Sequence, residues 1–314
     1  MKILVIGDLH GRKPRIHFKD FDCIIQVGDV CDNSKIGLYI KEWFELLKKE
    51  ETSFMESDQF IISKIGKKEL KKLEKESLEK GREILKYLNS FGKSTFMVAG
   101  NWDYSYGPSK IKGINKSDYN YRKSFYDWYL GDKINPKLVQ GLKNIKCCMY
   151  RNHVFSGINF LGYGLSSGAE LLKKKGRKLN VSKKQFEVLK RSLNKIFNKL
   201  SFAYKKRNKT LPLIFISHNI PYNTKLDVVK DKNSYAYKKH LGSWIARKFC
   251  EKYKPLLCIG GHIHEGKGKD KIGKTIVINP GFGKDAQVLI DLDEEKGKVR
   301  KIEFYKKYKK YKHS

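Results

Sequence analysis

The stretch Leu256-Leu-Cys-Ile-Gly-Gly-His-Ile-His264 decides the fold. Residues 256–259 form a short apolar run of the kind that becomes a strand covered on both faces, as in the sheets of α/β proteins. Two glycines then turn the chain, and two histidines follow at once. A solvated turn needs neither imidazole, and the chain of 314 residues has only eight histidines. Working back through the chain, the arrangement recurs four times. Residues 211–217 lead into His218-Asn219, 95–99 into Gly100-Asn101-Trp102-Asp103, 22–28 into Gly28-Asp29, and 2–7 into Asp8-Leu9-His10. Each apolar run predicts a strand with a polar cluster at its carboxyl end. Ligands can be held rigidly there while the loops beyond shape a pocket.

Seven side chains in these clusters are of metal-ligand type: Asp8, His10, Asp29, Asn101, His218, His262 and His264. Carboxylate, imidazole and amide oxygens in this mixture suit a pair of hard-to-borderline divalent ions. Asp8 and His10 reach one ion only if the strand ends at Gly7 and turns. Asp29 can bridge two ions because a carboxylate has two oxygens. Two ions ~3.5–4 Å apart would hold and deprotonate a shared water and neutralise charge on a phosphoryl group. The chemistry this predicts is phosphate-ester hydrolysis.

Between the strands the spacing predicts helices over 36–50, 63–88, 182–204 and 242–253, so strands and helices alternate. Residues 145–150 and 153–161 read as a hairpin around Arg151-Asn152, and an aromatic-rich stretch over 104–130 ends in a short helix. Further strands are expected at 272–278, 287–292 and 298–305. No repeat and no Gly/Ser-rich linker interrupts the chain, so one domain over 1–314 is the economical reading. It carries a helical insertion at about 51–90 and a basic tail at about 306–314.

Lys and Arg total 67 against 33 acidic residues, a formal charge of +34, which favours polyanionic partners such as nucleic acid and makes association salt-dependent. Six cysteines lack CxxC spacing and several sit inside strand-like runs, so they read as reduced core residues of a cytoplasmic protein. Residues 1–7 read as a strand rather than a cleavable signal, and no apolar run approaches the ~20 residues of a membrane span.

The ordered set D-x-H, G-D, G-N-x-D, H and G-H-x-H, running from Asp8 to His264, resembles the calcineurin-like metallophosphoesterases. The segments around 218–227, 240–243, 261–265 and Asn279-Pro280-Gly281 look like those of an archaeal-type branch of small phosphoesterases. The resemblance implies a four-layer α/β/β/α sandwich of two mixed sheets. It also implies that Asp8, His10, Asp29 and His264 hold one ion, and Asp29, Asn101, His218 and His262 the other. Manganese is the first choice of metal, with iron, zinc, nickel or magnesium also compatible. Asp29, Asn101 and Asp103 count among the catalytic residues. One position departs from the pattern: Trp102 stands where the family usually carries histidine. Indole has one N–H and relays no proton near neutral pH, and losing a general acid typically costs ~10²–10⁴ in rate. The expectation is a phosphodiesterase bias, with His240 as the leading substitute proton carrier. A metal-dependent nuclease and a non-catalytic nucleic-acid-binding module are the alternatives. Oligomeric state is not encoded in any pattern.

Overall fold

Strands buried on both faces build the centre of the molecule. The computed structural model describes residues 1–48, 57–103, 138–166, 170, 183–232, 234 and 236–306. In the first sheet β1 (Lys2–Ile6), β2 (Cys23–Gln26), β3 (Thr95–Met97) and β4 (Ile145–Cys147) run parallel. Two antiparallel strands, β11 (Gln287–Asp293) and β12 (Lys298–Phe304), extend it beyond β1, giving the order β12-β11-β1-β2-β3-β4. The second sheet contains β5 (His153–Phe155), β6 (Ile158–Tyr163), β7 (Leu213–Asn219), β8 (Leu257–Gly261), β9 (Gly268–Ile272) and β10 (Thr275–Asn279). Its order is β5-β6-β7-β8-β10-β9, with β6, β7, β8 and β10 parallel. Both sheets are therefore mixed.

The period of two decides what each strand residue meets. On β7, Ile214 and Ile216 join a core shared with Leu4, Ile24 and Phe96 of the first sheet, while Leu213 and Phe215 join a second core. That second core holds Leu193, Ile196, Phe197 and Leu200 of α3 (Lys183–Lys205) and Ile245 and Phe249 of α4 (Trp244–Tyr253). Leu78, Ile84, Leu85 and Leu88 of α2 (Ser57–Asn89) cover the first sheet from outside, and α1 (Ile36–Lys48) packs on α2. The layers run helix, sheet, sheet, helix, as expected.

Three local expectations need correction. The helix predicted over 63–88 starts at Ser57 and breaks at Gly66, whose φ of 75° and ψ of 157° are not helical. The break lets Phe60 and Ile61 meet Leu70, Leu73 and Ile36 in a small third core, a contact that a straight helix would forbid. The hairpin expected at Arg151-Asn152 lies instead at Ser156-Gly157, where φ values of 44° and 70° give the left-handed turn that matches strand twist. Residues 145–147 pair with β3 in the other sheet. The strand expected over 272–278 is two strands joined at Gly273-Lys274. The expectations for 51–56, for the aromatic stretch and for the tail beyond 306 lie outside the described residues. Among the described residues no helix is long and apolar enough to cross a membrane.

Candidate metal centre

Five strands from both sheets aim their carboxyl ends at one place. β1, β2 and β3 lead to Asp8 and His10, to Asp29, and to Asn101; β7 carries His218 as its last residue but one, and β8 leads to His262 and His264. Ligand atoms of Asp8, His10 and His264 all lie within 4.8 Å of one another, and those of Asp29, His218 and His262 do the same. Asp29 Oδ2 is 3.4 Å from His10 Nε2 and 3.4 Å from His218 Nε2, so this carboxylate stands between the two groups. Asn101 Oδ1, 2.8 Å from His218 Nε2, belongs with the second group. Residues that are more than 250 positions apart in the chain thus meet: His10 Nε2 is 3.1 Å from His264 Nε2.

The local backbone is bent to make this possible. His10, Asp29 and His262 adopt φ of 45°, 54° and 68°, left-handed values that cost a non-glycine residue roughly 1–2 kcal/mol each. Hydrogen bonds offset the strain: the Leu9 and His10 amides donate to the Asp29 carbonyl at 3.1 and 2.8 Å, and the His262 amide donates to the Asp8 carboxylate. The motif glycines are explained by close approach. A Cβ on Gly100 would collide with the Asp29 amide and carboxylate, and one on Gly261 with the Asp8 carboxylate.

Asp103, counted among the catalytic residues from the sequence, is instead a clamp. Its Oδ2 accepts from the Asp29 and Gly100 amides at 2.8 Å each, and its Oδ1 from the Val30 and Cys31 amides at 2.8 and 3.0 Å. The side chain is fully buried. A carboxylate spent on four backbone N–H groups positions Asp29 and leaves nothing to offer a substrate.

The electrostatics are those of a site built around positive charge. Burial drives the Asp8 carboxyl well above the usual carboxylate range, with His218 pulling it down and Asp29 pushing it up again. Burial also opposes the charge on Asp29, but His218, His10 and the Trp102 amide, 2.8 Å from Oδ1, hold it below its ordinary value. Burial lowers His10 to about 4 and His262 to about 3, and lowers His264 as well, so these three rings offer neutral lone pairs. His218 differs. Burial pulls it down, yet Asp29, Asp8 and the Val27 carbonyl together lift it to about 9. That carbonyl, 3.0 Å from Nδ1, can only accept, so Nδ1 carries the proton and Nε2 faces the cluster.

Two observations test whether cations fit. Asp8 Oδ1 is buried and, among the described residues, accepts no hydrogen bond, an arrangement that normally costs about 1–3 kcal/mol. In the second group, an amide oxygen and a carboxylate oxygen converge on one imidazole nitrogen at 2.8 and 3.4 Å. Acceptors crowd together in this way around a proton or a cation. Two carboxylates, one amide oxygen and four imidazoles in two groups sharing Asp29 fit two borderline divalent ions.

The sequence model for calcineurin-like phosphoesterases matches residues 72–266. This chain belongs to the calcineurin-like phosphoesterase family. The matched span contains Asn101, His218, His262 and His264 and begins after Asp8, His10 and Asp29, so geometry is what joins those three to the family motif. An uncharacterized protein of Methanocaldococcus jannaschii is 41% identical over 88 residues, which cover 27% of this chain and only 37% of that relative. A crystal structure 21% identical to this chain shares the fold, with a TM-score of 0.57 over 97% of this chain and 99% of the other. TT1561 of Thermus thermophilus aligns at 14% identity over 96% and 97% of the two chains, with a TM-score of 0.45.

His240 joins neither ligand group among the described residues. Its Nδ1 lies 2.7 Å from Oδ1 of the buried Asp227, whose oxygens also accept from the amides of Asn223, Thr224 and Gly242. The neighbouring Leu241 carbonyl accepts from Asn219, the residue after His218, which ties this loop to the site. Sequence reasoning missed three contributors: Asp227, the Val27 carbonyl, and Phe282, whose ring stacks on His264 at 4.1 Å. Phe282 directly follows the Asn279-Pro280-Gly281 turn, the one signal that pointed there. Trp102 sets its ring edge-on to His10 with centroids 6.3 Å apart, while Tyr104 and Tyr106 lie outside the described residues.

Proposed function

We propose that this protein is a dimetal-dependent phosphoesterase that hydrolyses phosphate esters, with a preference for phosphodiesters. The observation that carries the reading is Asp29, whose carboxylate stands between two ligand groups, each drawn from both sheets. Asp8, His10, Asp29 and His264 would hold one ion, and Asp29, Asn101, His218 and His262 the other. Bound divalent ions, manganese first among them, supply charge to the phosphoryl oxygens and acidify water. The chain's own residues do the rest. Asp103 fixes the turn that presents Asp29. Val27 fixes the proton of His218 on Nδ1, so that Nε2 points into the cluster.

The diester preference rests on Trp102, whose indole cannot protonate a leaving alkoxide. Diesters with good leaving groups need that proton least. A substitute proton carrier would erase that preference, and His240, whose ring Asp227 orients through Nδ1, is the residue to test for that role. With manganese present, bis-p-nitrophenyl phosphate should be cleaved faster than O-phosphoserine. The reverse order refutes the bias, and full activity in Asp29→Ala refutes the site. His240→Gln should flatten one limb of the pH–rate profile; an unshifted profile removes His240 from the reaction.

A nuclease or nucleic-acid-binding role is the second reading, and a charge asymmetry favours it. α3 carries seven Lys or Arg and a single acidic residue, whereas the longer α2 carries nine against six. Retention of single-stranded nucleic acid that weakens steeply with salt, with or without turnover, supports it. Six buried free thiols, Cys23 pushed up to about 12 by burial among them, support a cytoplasmic setting.

A further inference from the structure

Beside the first ligand group lies a cavity of about 640 Å3 whose lining includes Arg12, His264, Lys267, Phe282, Lys284 and Tyr305. His264 belongs both to this lining and to the ligand group, so the cavity adjoins the proposed centre. Three cations line it. Arg12 is held by its own loop: Nη1 lies 3.5 Å from the Leu9 carbonyl and 3.4 Å from that of His10, with the guanidinium carbon 4.7 Å from the Phe282 centroid. Only one corner of its five-donor fork is used in this way. Lys267 Nζ donates to the Tyr305 carbonyl at 2.9 Å, and the Tyr305 ring stacks on His17 at 3.6 Å, so this wall is also braced. The acid that lines the cavity, Asp285, is already engaged by His17 at 2.8 Å and Arg15 at 3.9 Å. Phe282 is 40% exposed, which adds an apolar aromatic edge between the cations and the ligands.

We propose that this cavity anchors a second phosphate of the substrate, which makes the substrate class nucleotide-like phosphodiesters that carry one phosphate more than the reaction consumes. The inference rests on the phosphoesterase reading and adds the substrate class. A planar guanidinium whose other donors make no hydrogen bond among the described residues matches phosphate geometry, and two ammonium groups supply further charge. The space is larger than a phosphate needs, and the exposed edge of Phe282 offers apolar contact to the sugar that joins the two phosphates.

The test uses the full chain at a fixed ionic strength of about 0.15 M, where long-range fields are screened beyond ~8 Å. Thymidine 3′,5′-bisphosphate and thymidine 5′-monophosphate are titrated calorimetrically. In parallel, the p-nitrophenyl ester of thymidine 5′-phosphate is hydrolysed with and without a 3′-phosphate, with manganese present. The 3′-phosphate should tighten binding and raise kcat/KM by about tenfold, the equivalent of one well-placed charged contact. In Arg12→Ala/Lys267→Ala that gain should fall below about twofold, since the contacts that supply it are gone. Lys284→Ala, at an exposed position, should lose part of it and serves if the double variant does not fold. Lys67→Ala/Lys68→Ala on α2 removes the same charge elsewhere and should keep the whole gain. No gain from the 3′-phosphate in the parent, or an equal loss in the α2 variant, overturns the proposal. Preferential binding of the bisphosphate without cleavage of either ester leaves the anchoring site standing and refutes the phosphoesterase reading instead. Equal cleavage of both esters does the opposite.

Discussion

Asp103→Asn removes one charge and almost no volume from the carboxylate that holds the Asp29 turn. The carboxylate accepts from four buried amides, two on each oxygen. An amide keeps one acceptor, and its NH2 then faces two N–H donors. Stranding two buried donors costs ~1–3 kcal/mol each, so ~2–6 kcal/mol is lost. Part is regained because burial and the nearby Asp29 charge already make the Asp103 carboxylate costly to ionise, raising it above its ordinary range. A net destabilisation of about 3 kcal/mol follows, which lowers Tm by roughly 5 °C in a chain of 314 residues. Because the stranded donors include the Asp29 and Gly100 amides, the turn bearing the shared ligand should loosen, and metal affinity should fall together with stability. Urea unfolding at neutral pH gives the first quantity, and titration of manganese into the metal-free protein gives the second. A variant within about 0.5 kcal/mol of the parent, with unchanged manganese affinity, would refute the clamp, since so small a change is typical of an uninvolved surface site.

Three further outcomes are expected. Gly100→Ala should cost at least about 2 kcal/mol and weaken metal binding, because its Cβ has no space beside Asp29; a soluble variant with the parent's Tm contradicts the packing. Manganese at a hundredfold excess over its Kd should stabilise the parent by about 2.7 kcal/mol and Asp29→Ala by much less, read as Tm with and without chelator; equal responses mean the ion binds elsewhere. Glu74 on α2 is raised from 4.5 to about 7, by burial first and then by Asp58, with Lys71 acting in the opposite direction. The folded chain therefore holds this proton more tightly than the unfolded one, and stability from the group declines as pH climbs from 4.5 through 7. Glu74→Gln should match the parent near pH 4 and exceed it by about 1 kcal/mol at pH 8. A constant difference across that range assigns the proton to another group.

The strands and the ligand clusters at their ends were legible from residues alone, because burial on both faces leaves an apolar run and a metal demands donor types that a turn does not. The break at Gly66 was not legible. A lone glycine in a charged helix is tolerated as often as it ends one, and only the packing of Phe60 and Ile61 on Leu70 and Leu73 decides the outcome. The position of β4 was hidden for a similar reason, since three residues can pair in either sheet.

Donor chemistry is a local property, so the chain itself specifies that Asp8, His10, Asp29, Asn101, His218, His262 and His264 are available as ligands. Distance is not local. Only the face-to-face packing of the sheets brings His10 to 3.1 Å from His264 and sets Asp29 between two groups. The same folding assigns Asp103 to the backbone and Asp227 to His240, because whether a carboxylate meets a cation, an amide or an imidazole depends on what the tertiary structure places opposite it.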